Sequence, residues 1–150
     1  LILSISVINE LFPQSKILFP NECESKIDNQ LMQKYDFIFL TPSQIHLIED
    51  NLIDLSINTN SFGEMHINQI NQYLNLIQRV SKSGSYFFNT NRIEKYAIAN
   101  NYEKDNINAL PTRYIDYQFF NNEIKFFEIC DLAIEVQRNP NFTRLEKVIK

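Results

Sequence analysis

The sequence predicts an α/β domain with a doubly wound, mostly parallel sheet. Short, continuous apolar runs alternate with one strongly amphipathic segment, and two aromatic-rich segments follow with no helix between them. Continuous apolar runs are typical of strands that are buried on both faces of a parallel sheet. The order therefore predicts the carboxyl half of such a sheet, with an antiparallel hairpin at its edge.

The first 57 residues predict one helix and three strands. Residues 1–11 favour a helix, because Leu3, Val7 and Leu11 recur at four-residue spacing ahead of Pro13. The three strands are predicted at residues 16–19, 35–40 and 53–57. The last two are expected to be buried on both faces.

A second, amphipathic helix is predicted for residues 67–82. Its apolar positions recur at three and four, at Ile67, Ile70, Leu74, Ile77 and Val80. Gly84 is predicted to be its left-handed C-cap, and a strand is predicted at 85–88. We expect this helix to cross in the right-handed sense between the parallel strands 53–57 and 85–88.

The aromatic-rich segments 114–120 and 125–136 predict the antiparallel hairpin. They flank Asn121-Asn122-Glu123, which is a short polar connection typical of a turn. The hairpin is expected to form one edge of the sheet.

Composition excludes several classes of function. The net charge of −4 is scattered along the chain, so nucleic acid is not an expected partner. No apolar run approaches the roughly 20 residues of a membrane helix, and no signal-peptide pattern is present. Cys23 and Cys130 lack metal-site spacing, as do the two histidines, so no metal is predicted and two reduced thiols indicate a cytoplasmic protein.

Two polar motifs resemble a known family. They are DLSINTNSFGEM, residues 54–65, and YFFNTNR, residues 86–92. With Leu11-Phe12-Pro13 and DFIFLTPSQI, residues 36–45, they resemble the sugar O-methyltransferase family of the S-adenosylmethionine-dependent methyltransferases. The resemblance covers residues 1–138.

The resemblance implies a Rossmann-like class I methyltransferase sheet and methylation of a sugar hydroxyl in glycan or polysaccharide biosynthesis, with S-adenosylmethionine as cofactor. Members of the family carry a Gly-rich turn and an acidic strand end that hold the cofactor. This chain has only Gly63 and Gly84. Residues 1–150 therefore resemble the carboxyl-terminal part of one methyltransferase domain whose N-terminal strands are missing, and we expect the chain alone to be inactive.

The same resemblance implies site residues at the carboxyl ends of three strands, where doubly wound sheets bind ligands. Glu64 and His66 are the expected catalytic bases. The expected cofactor-binding residues are Thr41, Gln44, Asn58 and Thr59. The expected residues for a sugar or glycan acceptor are Ser61, Asn89, Asn91 and Arg92, with Arg92 and Lys95 suited to an anionic group.

Each of these residues also has a structural interpretation. Asn58 and Ser61 are residue types that fix a turn and cap the following helix, and a lone His at a helix start is often structural. Two other functions also fit the pattern. One is half of a dinucleotide-dependent oxidoreductase, and the other is a non-enzymatic carbohydrate-binding or interaction module.

We predict that residues 1–150 alone bind no S-adenosylmethionine. In the fold that the sequence resembles, two strands lie between the strand near 36–40 and the strand at 53–57, and the cofactor crevice depends on them. Calorimetric titration tests this, and binding is expected when the Gly-rich segment is also present. A clear saturable signal from the 150 residues would contradict the prediction.

Overall fold

A computed structural model of the chain describes residues 2–94, 113–130 and 140–150. The chain divides into two compact units, Leu1–Leu52 and Ile53–Lys150. Each unit is described by itself.

The first unit contains two short helices and a two-stranded parallel sheet. Its elements are α1 (Ile2–Leu11), β1 (Ile17–Leu18), α2 (Asn29–Met32) and β2 (Phe37–Ile38). The predicted helix and both predicted strands are confirmed in position, although each strand is only two residues long. Asp28 caps α2, because its carboxylate accepts a hydrogen bond from the Leu31 N–H at 2.8 Å.

The second unit contains a four-stranded mixed sheet with the order β3-β4-β6-β5. Its elements are β3 (Ile53–Thr59), α3 (Ile67–Val80), β4 (Ser81–Arg92), β5 (Glu123–Cys130) and β6 (Asn141–Lys147). β3 and β4 are parallel, which confirms the predicted pairing of these two strands. β6 lies between β4 and β5 and is antiparallel to both.

One face of this sheet is covered by α3 and by the segment around the short 3₁₀ turn Tyr114–Asp116. The buried core residues are Phe62, Ile70, Leu74, Phe87, Tyr117 and Phe142. The spacing of Ile70 and Leu74 places both side chains on the inner face of α3. Full burial of each such side chain contributes about 1.5–3 kcal/mol to stability.

The opposite face of the sheet carries an apolar row in direct cross-strand register. The row consists of Ile57, Phe88, Leu145 and Phe126, one residue from each strand. Leu55 and Ile57 are 52% and 64% exposed, so the prediction that strand 53–57 is buried on both faces is wrong. Within the described residues of the second unit, α3 packs on the other face.

The predicted hairpin is also wrong in its partners. Strand β5 pairs with β6, whereas Tyr114–Asp116 forms a 3₁₀ turn against the core. Residues 131–136 of the prediction lie outside the described residues. The sequence did not predict β6, because its inward-facing positions do not form an apolar alternation: they include the charged residues Arg144 and Glu146 as well as Phe142.

Gly84 does not cap the helix as predicted. Helix α3 ends at Val80, and β4 begins at the next residue. The left-handed conformation itself is present, with φ of +83°, but it lies inside β4. The register there shifts from Ile53 opposite Ser81 to Leu55 opposite Tyr86, so Gly84 belongs to an irregularity that puts extra residues into β4.

We predict that Gly84→Ala destabilises the second unit by about 1–2 kcal/mol. The added Cβ would lie 3.7 Å from Lys147 Cε, which is an ordinary contact. The expected loss therefore comes from the positive φ, which an L side chain resists. Urea denaturation measures it, with Ser83→Ala as the exposed neighbouring control. Equal urea midpoints for the two variants would contradict the claim that the positive φ of Gly84 strains an L side chain.

Candidate functional site

A cluster of buried carboxamides lies at the carboxyl ends of β3 and β4. Asn58 stands directly opposite Asn89 in the parallel register, and Asn91 follows two residues later on the same face of β4. Asn89 is 1% exposed and Asn91 is 0% exposed. Buried polar side chains need hydrogen-bond partners, and the strands and the following loop supply most of them.

Asn91 is the centre of this amide cluster. Its Oδ1 accepts hydrogen bonds from the backbone N–H groups of Phe62 at 3.0 Å and Gly63 at 3.3 Å. Its Nδ2 donates to Oδ1 of Asn58 at 2.6 Å and to Oδ1 of Asn89 at 2.5 Å. The carboxamide thus uses both of its donor hydrogens and accepts two hydrogen bonds.

The loop from Asn60 to Met65 is built on this cluster. Asn58 Nδ2 donates to Ser61 Oγ. Asn60 adopts a left-handed φ of +55°, and its N–H donates to the carbonyl of Thr90 at 2.8 Å. Asparagine tolerates this conformation better than most residues, which explains one of the Asn residues in the motif at residues 54–65.

The aromatic core holds the same loop from below. The Phe62 ring packs edge-on against Tyr117, with centroids 6.0 Å apart. Burial raises the pKa of Tyr117 to about 12, because the ionised phenol is disfavoured away from water. The loop is therefore fixed by an apolar contact through the Phe62 side chain and a polar contact through its N–H.

Glu64 and Arg92 form an ion pair at the surface of this loop, with an N–O distance of 3.6 Å. Their side chains are 58% and 38% exposed, so solvent screens the attraction and the pair adds little to stability. Both groups are accessible to a ligand. Lys95, predicted beside Arg92, lies outside the described residues.

His66 is the N-cap of α3. Its Nδ1 accepts a hydrogen bond from the Asn68 N–H at 3.2 Å, and its own N–H donates to Gln69 Oε1 at 3.2 Å. Nδ1 is therefore engaged as the acceptor of the helix cap. A catalytic role for His66 stays a prediction.

The remaining predicted cofactor residues are Thr59 in the second unit and Thr41 and Gln44 in the first. Thr59 is exposed at the end of β3, on the face opposite Asn58. Thr41 and Gln44 belong to the first unit, where Gln44 Nε2 donates to the carbonyl of Pro20 at 2.7 Å. β2 and β3 belong to separate sheets among the described residues, so the expected single sheet that would carry all three polar strand ends is not observed.

Sequence reasoning missed a second buried polar cluster, on β6. The guanidinium of Arg144 donates to Glu146 and, at 3.1 Å, to the Tyr114 hydroxyl. It also lies 4.2 Å from the centroid of the Phe119 ring. The alternation in NFTRLEK, residues 141–147, was the available signal, but the partners are remote in sequence.

The described residues contain neither a metal-binding cluster nor a membrane-spanning helix. No group of three or more His, Cys, Asp or Glu side chains in residues 2–94, 113–130 and 140–150 is placed to hold a metal ion. No helix in this part of the chain has the length and apolar character needed to cross a membrane.

Comparison with solved structures identifies the fold. An S-adenosylmethionine-dependent methyltransferase from Methanosarcina mazei matches with a TM-score of 0.50 and 10% sequence identity, over 97% of this chain and 98% of that chain. One from Archaeoglobus fulgidus gives a TM-score of 0.47 and 12% identity, over 97% and 93%. No protein-family model and no curated protein matches the chain. The similarity is one of fold: the chain has a Rossmann-like methyltransferase fold with a mixed sheet.

We predict that Asn91→Ala destabilises the second unit by about 3 kcal/mol. The change leaves the Phe62 and Gly63 N–H groups without their buried acceptor, and each lost partner is expected to cost about 1–3 kcal/mol. Urea denaturation followed by circular dichroism measures the loss. Asn68→Ala, on the exposed start of α3, is the matched control and should change stability by less than about 0.5 kcal/mol. Similar values for both variants would refute the central role of Asn91.

Proposed function

We propose that this chain acts in a methyltransferase that transfers a methyl group from S-adenosylmethionine to a sugar hydroxyl, in glycan or polysaccharide biosynthesis. The observation that carries the proposal is the amide cluster at the carboxyl ends of β3 and β4 in a methyltransferase fold. In doubly wound sheets, ligands bind beyond the carboxyl ends of the strands. Amide and hydroxyl groups there suit a polyhydroxylated acceptor.

The amino-acid end of the cofactor, which presents a carboxylate and an ammonium group, is proposed to meet the carboxyl end of β3. Within the second unit, Asn58 and Thr59 are the residues proposed to hold it. S-adenosylmethionine, when bound, supplies an electrophilic methyl group. The residues of this chain have to hold the acceptor oxygen in line with that group, which is where positioning contributes most to rate.

The acceptor is proposed to meet Ser61 and Arg92. Both side chains are partly exposed at the loop that follows β3. Asn89 and Asn91 are proposed to shape this surface from beneath, since Asn91 already makes four hydrogen bonds within the protein. A direct contact of Asn91 with the sugar would require one of these bonds to break.

Glu64 is the proposed general base. Its carboxylate is exposed and stands at the loop that carries Ser61. It would take the proton of the acceptor hydroxyl as the oxygen attacks, and the proton would stay on a Glu64 oxygen until solvent removes it. The capping bond to His66 Nδ1 makes His66 the weaker of the two candidate bases.

We further propose that residues 1–150 work as the carboxyl-terminal part of a methyltransferase domain in the cytoplasm. A chain with two glycines lacks the glycine-rich turn that brings backbone N–H groups close to a cofactor of this kind. The two free cysteines suit a reducing compartment.

We predict that Glu64→Gln lowers turnover by about 10²-fold or more in a polypeptide that joins these residues to the cofactor-binding segment. Cofactor affinity should change little, because the substitution keeps size and removes only the basic oxygen. Methyl transfer to a sugar acceptor is the assay. Glu128→Gln, exposed on β5, is the matched control. Unchanged turnover in Glu64→Gln would remove Glu64 from the mechanism.

A further inference from the structure

Two backbone N–H groups determine which atoms donate and which accept in the amide cluster. Asn91 Oδ1 accepts from the N–H groups of Phe62 and Gly63. If the Asn91 carboxamide were flipped, its NH₂ would face two other donors. The orientation of Asn91 therefore follows from the loop backbone.

The orientation of Asn91 also fixes the orientation of the two carboxamides beside it. Its Nδ2 donates to Oδ1 of Asn58 and of Asn89, so each of these side chains turns its own NH₂ outward. The outward NH₂ of Asn58 donates to Ser61 Oγ, so the orientation of Asn58 determines the role of the Ser61 hydroxyl. A hydroxyl that accepts in this way keeps its O–H free to donate.

Each of the two ends of this hydrogen-bond network is consequently a hydrogen-bond donor. At its accessible end stands the Ser61 hydroxyl, which is partly exposed. At its buried end stands Asn89 Nδ2, which has no hydrogen-bond partner within the described part of the chain. Unpaired buried donors are rare in proteins and call for a physical reason.

A ligand group that only accepts hydrogen bonds matches such a site best. A carboxylate is of this kind, and charge makes its hydrogen bonds shorter and stronger. A neutral sugar hydroxyl would accept from Ser61 but would bring a further proton to a network that already has surplus donors. The guanidinium of Arg92 is the cation at the same loop, where it pairs loosely with Glu64 at 3.6 Å.

We propose that the Ser61 end of the amide cluster binds a carboxylate, and that Asn91 is the positioning residue that makes this end a donor. The proposal deepens the proposed function and rests on it for the identity of the ligand. The carboxylate comes either from an acidic sugar acceptor or from the amino-acid end of the cofactor.

Titration of the ¹⁵N-labelled 150-residue chain tests this with small probes. D-glucuronate and D-glucose form the acceptor pair, and L-methionine and methioninol form the cofactor pair; within each pair only the first carries a carboxylate. We expect saturable shifts of the Phe62 and Gly63 amide signals with at least one carboxylate and none with the partner that lacks one. A response to L-methionine would also contradict the prediction that the 150 residues alone bind no S-adenosylmethionine. The pair that responds identifies the source. Equal responses within both pairs, or no response, would overturn the proposal.

Variants separate the accessible donor from the network behind it. Ser61→Ala removes the donor at the surface and should weaken carboxylate binding by about tenfold or more, the size of one lost charge-assisted hydrogen bond. Asn91→Asp still accepts from Phe62 and Gly63 but cannot donate. The carboxamides of Asn58 and Asn89 should therefore flip, so that Ser61 donates its hydrogen to Asn58 and presents only lone pairs to a ligand. The same loss is then expected. Thr143→Val, on the opposite face of the sheet, is the control.

The outcomes also separate this proposal from the proposed function. Carboxylate binding that Ser61→Ala weakens, in a polypeptide that includes the cofactor-binding segment and still transfers no methyl group, would contradict the methyltransferase and leave the binding site standing. Methyl transfer to a neutral sugar with no carboxylate binding would do the reverse. Asn91→Asp places a charge in a buried position, so if it does not fold, unchanged affinity in Ser61→Ala alone suffices to reject the site.

Discussion

The hydrogen bonds of the Asn91 carboxamide are the interactions on which the loop between β3 and α3 depends. A loop that passes from a strand to a helix over a buried surface carries backbone N–H groups that need acceptors inside the protein. Asn91 accepts from two of them and donates to two other side chains, which only a carboxamide can do at this length. The Asn-x-Asn spacing on β4 follows from this need, because Asn89 and Asn91 must share a face.

The parts of the fold that could be predicted are those whose apolar pattern, read over a few neighbouring residues, matches the element that forms. The apolar run of β3 and the periodic face of α3 indicate a βαβ unit without reference to anything remote, and β3 and β4 do pair in parallel. Strand β6 could not be recognised in this way. Its inward Arg144 and Glu146 look like surface residues until Tyr114, Phe119 and Asn122 satisfy them from another part of the chain.

The proximity of three candidate residues could be predicted from the sequence, but their hydrogen bonding could not. Polar residues after two strands pointed to the loop at 58–64, and the structure places Asn58, Asn89 and Asn91 in contact there. Sequence could not show that the latter two are buried, or that the Phe62 and Gly63 N–H groups orient all three amides. The cap made by His66 depends likewise on the backbone geometry at the start of α3.

Core and site are coupled through one residue of the loop. The side chain of Phe62 belongs to the aromatic core, against Tyr117, while its N–H is held by Asn91. A shift of that ring within the core would move the N–H that fixes the Asn91 carboxamide. If the carboxamide flipped in response, Asn58 would follow and Ser61 would present a lone pair to a ligand in place of its hydrogen. Packing at Phe62 is therefore coupled, through Asn91 and Asn58, to the hydrogen bonding of Ser61 at the surface.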